Sequence, residues 1–174
     1  MKKTLIIASS GGPQHYLNYE VEGLGEKGKE VAQKLAAKIR NLLPKDCLPR
    51  VIYGDLAVLK QTAEIVIDTL NSDDGRKSAA KNEAESNNRI NLDSYQAAQQ
   101  LGKGKYRKSL ARLVQQVQQR MFGPVTLVVM PAELATNIAE HYFDLFGGVE
   151  EQFFLAPGQA CVFRWTTTDK AVLI

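Results

Sequence analysis

Val125 to Met130, VTLVVM, has no polar side to turn toward water. A run this short, this apolar and this rich in β-branched residues is a strand covered on both faces, which commits the chain to a sheet held between other layers. The segments around it supply those layers. Pro131 suits the first turn of a helix, and Leu134, Ile138, Tyr142 and Leu145 then recur at helical spacing. Thr4 to Ala8 is a second buried run, broken by Ser9-Ser10-Gly11-Gly12. Leu24, Gly28, Val31, Leu35, Ile39 and Leu42 mark an amphipathic helix that Pro44 stops. Val51-Ile52-Tyr53 is a third strand, and Asp55 reads as the N-cap of a helix with Leu56, Leu59, Ala63, Val66 and Leu70 on its apolar face.

Strands that alternate with helices join through right-handed crossovers, giving an α/β fold: a three-layer sandwich whose mainly parallel central sheet is flanked by helices. Residues 1–174 are expected to form a single domain. The stretch around 71–91 is rich in Ser, Asp, Gly, Lys, Asn and Glu and reads as a polar, mobile insertion, with Ile90 and Leu92 as a stub of strand. Ser109 to Met121 is expected to be helical, with Leu110, Leu113, Val114, Val117 and Met121 inward. Phe153 to Leu155 and Cys161 to Trp165 flank a Pro157-Gly158 turn and are expected to pair antiparallel at the sheet edge. Tyr142, Phe143, Phe146, Phe153 and Phe154 read as core with one exposed edge.

Several classes of function drop out on composition. Mean hydropathy is −0.24 and no apolar stretch approaches membrane-spanning length, so no membrane association is expected. Too few apolar residues follow Met1-Lys2-Lys3 for a secretory signal, and cytoplasmic residence is the expectation. Cys47 has only Asp46 beside it and Cys161 has no His, Asp or Glu beside it, too little for a metal-ligand pattern, and neither a metal nor a cofactor is expected. The 22 basic and 19 acidic residues leave +3, a balance that counts against nucleic acid as partner. GKGKYRK, Gly102 to Lys108, lacks the P-loop spacing and reads as a solvated approach to a helix.

In sheets of this kind ligands sit beyond the carboxyl ends of the strands, so the loops after Ala8, Tyr53 and Met130 are the ones to inspect. There, Leu24-Gly25-Glu26-Lys27-Gly28 followed by Val31-Ala32, and Leu56 followed by Gln61-Thr62-Ala63-Glu64, resemble the helix-opening motifs of the histidine phosphatase superfamily, the phosphoglycerate mutase-like proteins. Their order and spacing agree over nearly the whole chain. The resemblance implies the fold just derived and a site built from two arginines and two histidines. It also puts those four residues at Ser9, Ser10, Val58 and Pro131, with Gly11 retained. The family's proton-donating acid falls in the insertion and has no assignable counterpart.

Phosphoryl transfer needs cationic donors against the outer oxygens and a nucleophile in line. Each charge-assisted hydrogen bond contributes about 1.5–3 kcal/mol, so losing two or three removes roughly 4–8 kcal/mol, or about three to six decades in rate, before the nucleophile is counted. Val58 brings an isopropyl group where the family has a guanidinium, and Pro131 has no donor at all. The leading expectation is a non-catalytic pseudophosphatase that binds a protein or a small anionic ligand, with Ser9, Ser10, Gly11 and Gly12 as a residual anion pocket. The alternative is a weak or repurposed phosphatase or hydrolase in which His15 activates Ser10 and a relocated cation, Lys27 or Lys60, points inward. His141, beside Tyr142 on a helix, reads as structural. A nucleotide-binding use of SSGG ranks below both, because the dinucleotide fingerprint lacks its third glycine and later acid.

Overall fold

The computed structural model describes residues 3–12, 23–43, 47–72, 88–92, 103–121, 123–145, 154–166 and 169–173. Its centre is a six-stranded mixed sheet. In chain order the strands are β1 (Lys3–Ser9), β2 (Arg50–Gly54), β3 (Arg89–Ile90), β4 (Val125–Met130), β5 (Ala160–Thr166) and β6 (Asp169–Leu173). In space the order is β3-β2-β4-β1-β5-β6. The first four run parallel, while β5 pairs antiparallel with both β1 and β6. All six residues of β4 and the last five of β1 are buried, as expected of strands covered on both faces. The register sets Ala8 opposite Val129 and Ser9 opposite Met130, so the two central strands end level.

Among the described residues four helices cover the sheet: α1 (Glu26–Leu42), α2 (Ala57–Asn71), α3 (Lys103–Arg120) and α4 (Ala132–Leu145). α1 packs on α2, and α3 on α4. α1 ends where Leu43 turns extended, the conformation that a following proline imposes. Its buried line is Ala32, Leu35, Ala36 and Ile39. Val31 lies at the margin of that line, and Leu42, expected inward, is 38% exposed at the last turn. Likewise Leu145, expected on the apolar face of α4, is 58% exposed, because the helix ends beyond the edge of the core that Leu134, Ile138 and Tyr142 reach.

Four further expectations are corrected. Asp55 is not the N-cap of α2. Leu56 holds that position, and the Asp55 carboxylate instead accepts the backbone N–H of Leu92 at 3.1 Å and lies 3.9 Å from Arg89, fastening the residues around β3 to the end of β2. The strand expected at Ile90 is present as β3, but it takes in Arg89 and stops short of Leu92; residues 73–87 of the polar stretch lie outside the described residues. α3 begins at Lys103, not Ser109, so Lys103 to Lys108 form its first turns instead of an approach to it. Phe154 and Leu155 are not in a strand; β5 finds its partners in β1 and β6, and Phe154 is 46% exposed. Phe146 and Phe153 lie outside the described residues, while Tyr142 and Phe143 pack on Phe163 with ring centroids 5.6 and 5.3 Å away.

Candidate functional site

The sharp turn after β1 sits in the middle of the sheet's carboxyl edge, and four elements close on it. From β4, the Met130 carbonyl accepts the Ser10 N–H at 2.9 Å, which puts Ser10 beside Pro131. From α2, the Thr62 hydroxyl accepts the Gly11 N–H at 3.4 Å while donating to the Val58 carbonyl one turn back at 2.9 Å. From α1, the backbone of Gly28 lies so near Gly11 that a Cβ on Gly11 would overlap the Gly28 carbonyl oxygen and stand 3.4 Å from Ala32 N. Two glycines, Gly11 after β1 and Gly28 in the α1 motif, are what allow this approach.

The fourth element is the turn Ala156-Pro157-Gly158-Gln159. Proline at its second position, Gly158 at φ +75° and a Gln159 N–H to Ala156 carbonyl bond of 3.0 Å make it a type II turn. It is fastened over the serines by three bonds. The Ser9 N–H donates to the Gln159 carbonyl (2.9 Å), the Ser9 hydroxyl to the Ala156 carbonyl (2.9 Å), and the Gly158 N–H to the Ser10 carbonyl (3.2 Å). Gly158 also presses on Val31 of α1.

Ser9 and Ser10 are consequently 0% exposed, Val58 is 1% exposed and Pro131 is buried. The four positions that the resemblance gives to arginines and histidines thus hold two hydroxyls, an isopropyl group and a pyrrolidine ring, all packed inside. The backbone amides across the turn also have acceptors within the chain. Ser9 and Ser10 donate to carbonyls, Gly11 donates to Thr62 Oγ1, and Gly12 donates to Ser10 Oγ at 3.3 Å. In this arrangement the Ser10 oxygen serves as an acceptor inside the turn.

The remaining expected residues are dispersed or out of view. His15 lies outside the described residues. Lys27 is exposed on α1; Lys60 is exposed on α2, 3.8 Å from Glu64. His141 is half-buried and meets the Tyr142 ring edge-on at 5.9 Å. Cys47 and Cys161 are free thiols, and burial pushes both upward, Cys161 to about 11. Among the described residues no cluster of His, Cys, Asp and Glu could hold a metal ion, and no helix is long and apolar enough to cross a membrane.

Three participants were not foreseen. Thr62 and Gln61 belong to the quoted QTAE motif, which was a usable signal for both. The Gln61 carboxamide accepts the Leu24 N–H at 2.6 Å and so holds the entry of α1 against α2. The 156–159 turn was legible as a turn, but its position over Ser9 was not.

No protein-family model matches the chain, and no curated protein matches it by sequence. Solved structures do match in fold. One is a protein of Escherichia coli K-12 assigned as an alpha-ribazole-5'-P phosphatase, 13% identical, with a TM-score of 0.58 over 99% of this chain and 95% of that one. Another is the alpha-ribazole phosphatase from Shigella flexneri, 15% identical, with a TM-score of 0.51 over 100% and 95%. The likeness is one of fold: the architecture is the phosphoglycerate mutase-like one that the sequence resemblance implied.

Proposed function

We propose that this chain is a catalytically inactive member of the phosphatase-fold group, a pseudophosphatase that acts in the cytoplasm as a binding or regulatory module. One observation carries the reading: the four positions where the resemblance expects arginines and histidines carry Ser9, Ser10, Val58 and Pro131, and all four are buried. A phosphate monoester brings two negative charges that must be met by cations or by unengaged N–H groups. The pocket positions supply no cation, and the amides of Ser9 to Gly12 already donate within the fold. A small anion reaches Gly11 and Gly12 only by displacing the Thr62 and Ser10 hydroxyls, which makes any binding at this residual pocket weak. Ser10 has a buried hydroxyl that accepts from Gly12, an arrangement that supports a structural role over a nucleophilic one.

The test is turnover of p-nitrophenyl phosphate and a panel of phosphoesters, alpha-ribazole 5'-phosphate included, by the purified protein and by Ser10→Ala. The expected result is no turnover above background from either. Hydrolysis by the parent protein that Ser10→Ala abolishes would overturn the reading.

A further inference from the structure

α3 has a charge pattern unlike the rest of the chain. It holds six basic residues, Lys103, Lys105, Arg107, Lys108, Arg112 and Arg120, and no acidic one. It thus carries +6 of a chain whose formal total is +3, so everything else sums to −3. The acid-free stretch is longer than the helix: from Ser94 to Ala132 no Asp or Glu occurs, where an even spread of the 19 acidic residues would place about four. The near-neutral total, which counted against a polyanionic partner in the sequence, conceals this segregation.

The structure turns the segregation into a surface. Leu113, Val114 and Val117 bury one side of α3 in the core. Arg107, Lys108, Ala111, Arg112, Gln115 and Gln119 are exposed on the other. Lys108 and Arg112 are one turn apart on the same face. Helix stability does not account for the arrangement. With no acidic residue in α3 there is no ion pair within the helix, and cations in the first turn oppose the macrodipole.

We propose that the exposed face of α3 binds the phosphate backbone of nucleic acid without reading base sequence. The chemistry of the face selects this partner over other anions. A protein partner needs aromatic or aliphatic anchors at the centre of the contact, and interfaces of that kind are poor in lysine. Ala111 is the apolar member of the exposed residues named above. A lipid surface takes up a basic helix through its apolar side, which here is committed to the core. Lys, Arg and Gln together are the side chains that phosphate oxygens and sugars accept hydrogen bonds from. The 18 residues of α3 extend about 27 Å, enough to lie along several phosphates. This deepens the binding-module reading by naming a partner, and it does not depend on the state of the pocket.

The test is fluorescence anisotropy with a labelled DNA duplex of about 20 base pairs and random sequence, titrated with full-length protein between about 50 and 200 mM salt. The expected result is saturable binding at the lowest salt, weakening with a log–log slope of about −3 to −4, the value for three to four neutralised phosphates. Lys108→Glu with Arg112→Glu should weaken binding at least tenfold with an unchanged circular dichroism spectrum. Lys38→Glu, an exposed lysine on α1, should change it less than twofold. Three results would each overturn the proposal: no binding at about 50 mM salt, an equal loss in Lys38→Glu, or displacement of the duplex by polyglutamate at matched charge. The last would make an acidic protein the partner. Phosphoester turnover is measured separately, so failure here leaves the pseudophosphatase reading intact.

Discussion

Substituting arginine for Val58 puts back the residue type that the family resemblance expects, and here it should damage the protein instead of repairing it. Val58 is 1% exposed in the first turn of α2, where the Thr62 hydroxyl bonds back to its carbonyl. Removing the isopropyl group from the core forfeits about 1.5–3 kcal/mol of burial. Forcing a longer side chain into close packing adds about 1–3 kcal/mol of strain, and a guanidinium held away from water without a partner adds more. Swinging the guanidinium out along its stem limits the total, which we place at about 3–5 kcal/mol. For a chain of this length each kcal/mol lowers Tm by about 2–4 °C, so a fall of about 6–20 °C is expected, read by urea and thermal denaturation. Ala57→Arg supplies the same charge on the exposed neighbouring residue and should stay within about 0.5 kcal/mol of the parent. Neither variant should gain phosphatase activity. A Val58→Arg protein that loses less than about 1 kcal/mol would refute the reasoning, because it would mean that space or water is waiting at that position.

Other consequences can be checked on the same material. Gly11→Ala drives a methyl group into the Gly28 carbonyl and should cost about 2–4 kcal/mol by denaturation, whereas Gly25→Ala, with open space around it, should cost less than about 1 kcal/mol. Thr62→Val keeps the shape but removes both the acceptor for the Gly11 N–H and the donor to Val58; a loss of about 1–3 kcal/mol is expected. Burial raises the Cys161 thiol to about 11 from an ordinary value of 9.0, so the folded chain keeps a proton that the unfolded chain releases first. The resulting stabilisation is complete below about pH 9 and lost as pH rises toward 11, and parent protein should lose stability across that window more steeply than Cys161→Ala. Near neutral pH the thiolate fraction of Cys161 is about a hundredfold below that of a free thiol, and its reaction with a disulfide reagent should be slower in proportion.

The parts of the fold that were legible in the sequence are those whose signal is local. VTLVVM has no polar side because both faces of β4 are covered, and a strand of that kind looks the same in sequence and in space. Pro44 marked the end of α1 because the residue before a proline avoids helical geometry. Where the signal was weak or ambiguous the expectations failed. Lys103 to Lys108 were missed as helix because the segment has too few apolar residues to display a period, and its order comes from the core contacts of Leu113, Val114 and Val117 further along. Asp55 has the local pattern of an N-cap, but its carboxylate is engaged by Leu92, 37 residues away, and a tertiary partner outcompeted the local one. β6 has only five residues and depends on β5 for its pairing, so DKAVL offered little to read.

The candidate site divides along the same line. Gly28, Gln61 and Thr62 were within reach because each lies in a motif that carries the resemblance, and Gly11 because the resemblance retains it; the structure joins them around one turn. The exclusion of water from Ser9 was out of reach, since the Ala156 carbonyl that takes its hydroxyl is 147 residues distant. The same distance explains why the serines looked, in sequence, like an open anion-binding turn.

The central claim is that a pocket whose four key positions are packed with uncharged side chains no longer holds an oxyanion. Crystals grown from concentrated sulfate test it most directly, because sulfate has the shape and charge of the phosphoryl group and would occupy a working site. The account predicts no ordered sulfate at the turn, with the Gly11 and Gly12 amides still bonded to the Thr62 and Ser10 hydroxyls. A sulfate bound over Ser9 to Gly12, ringed by cations brought in from other segments, would contradict it.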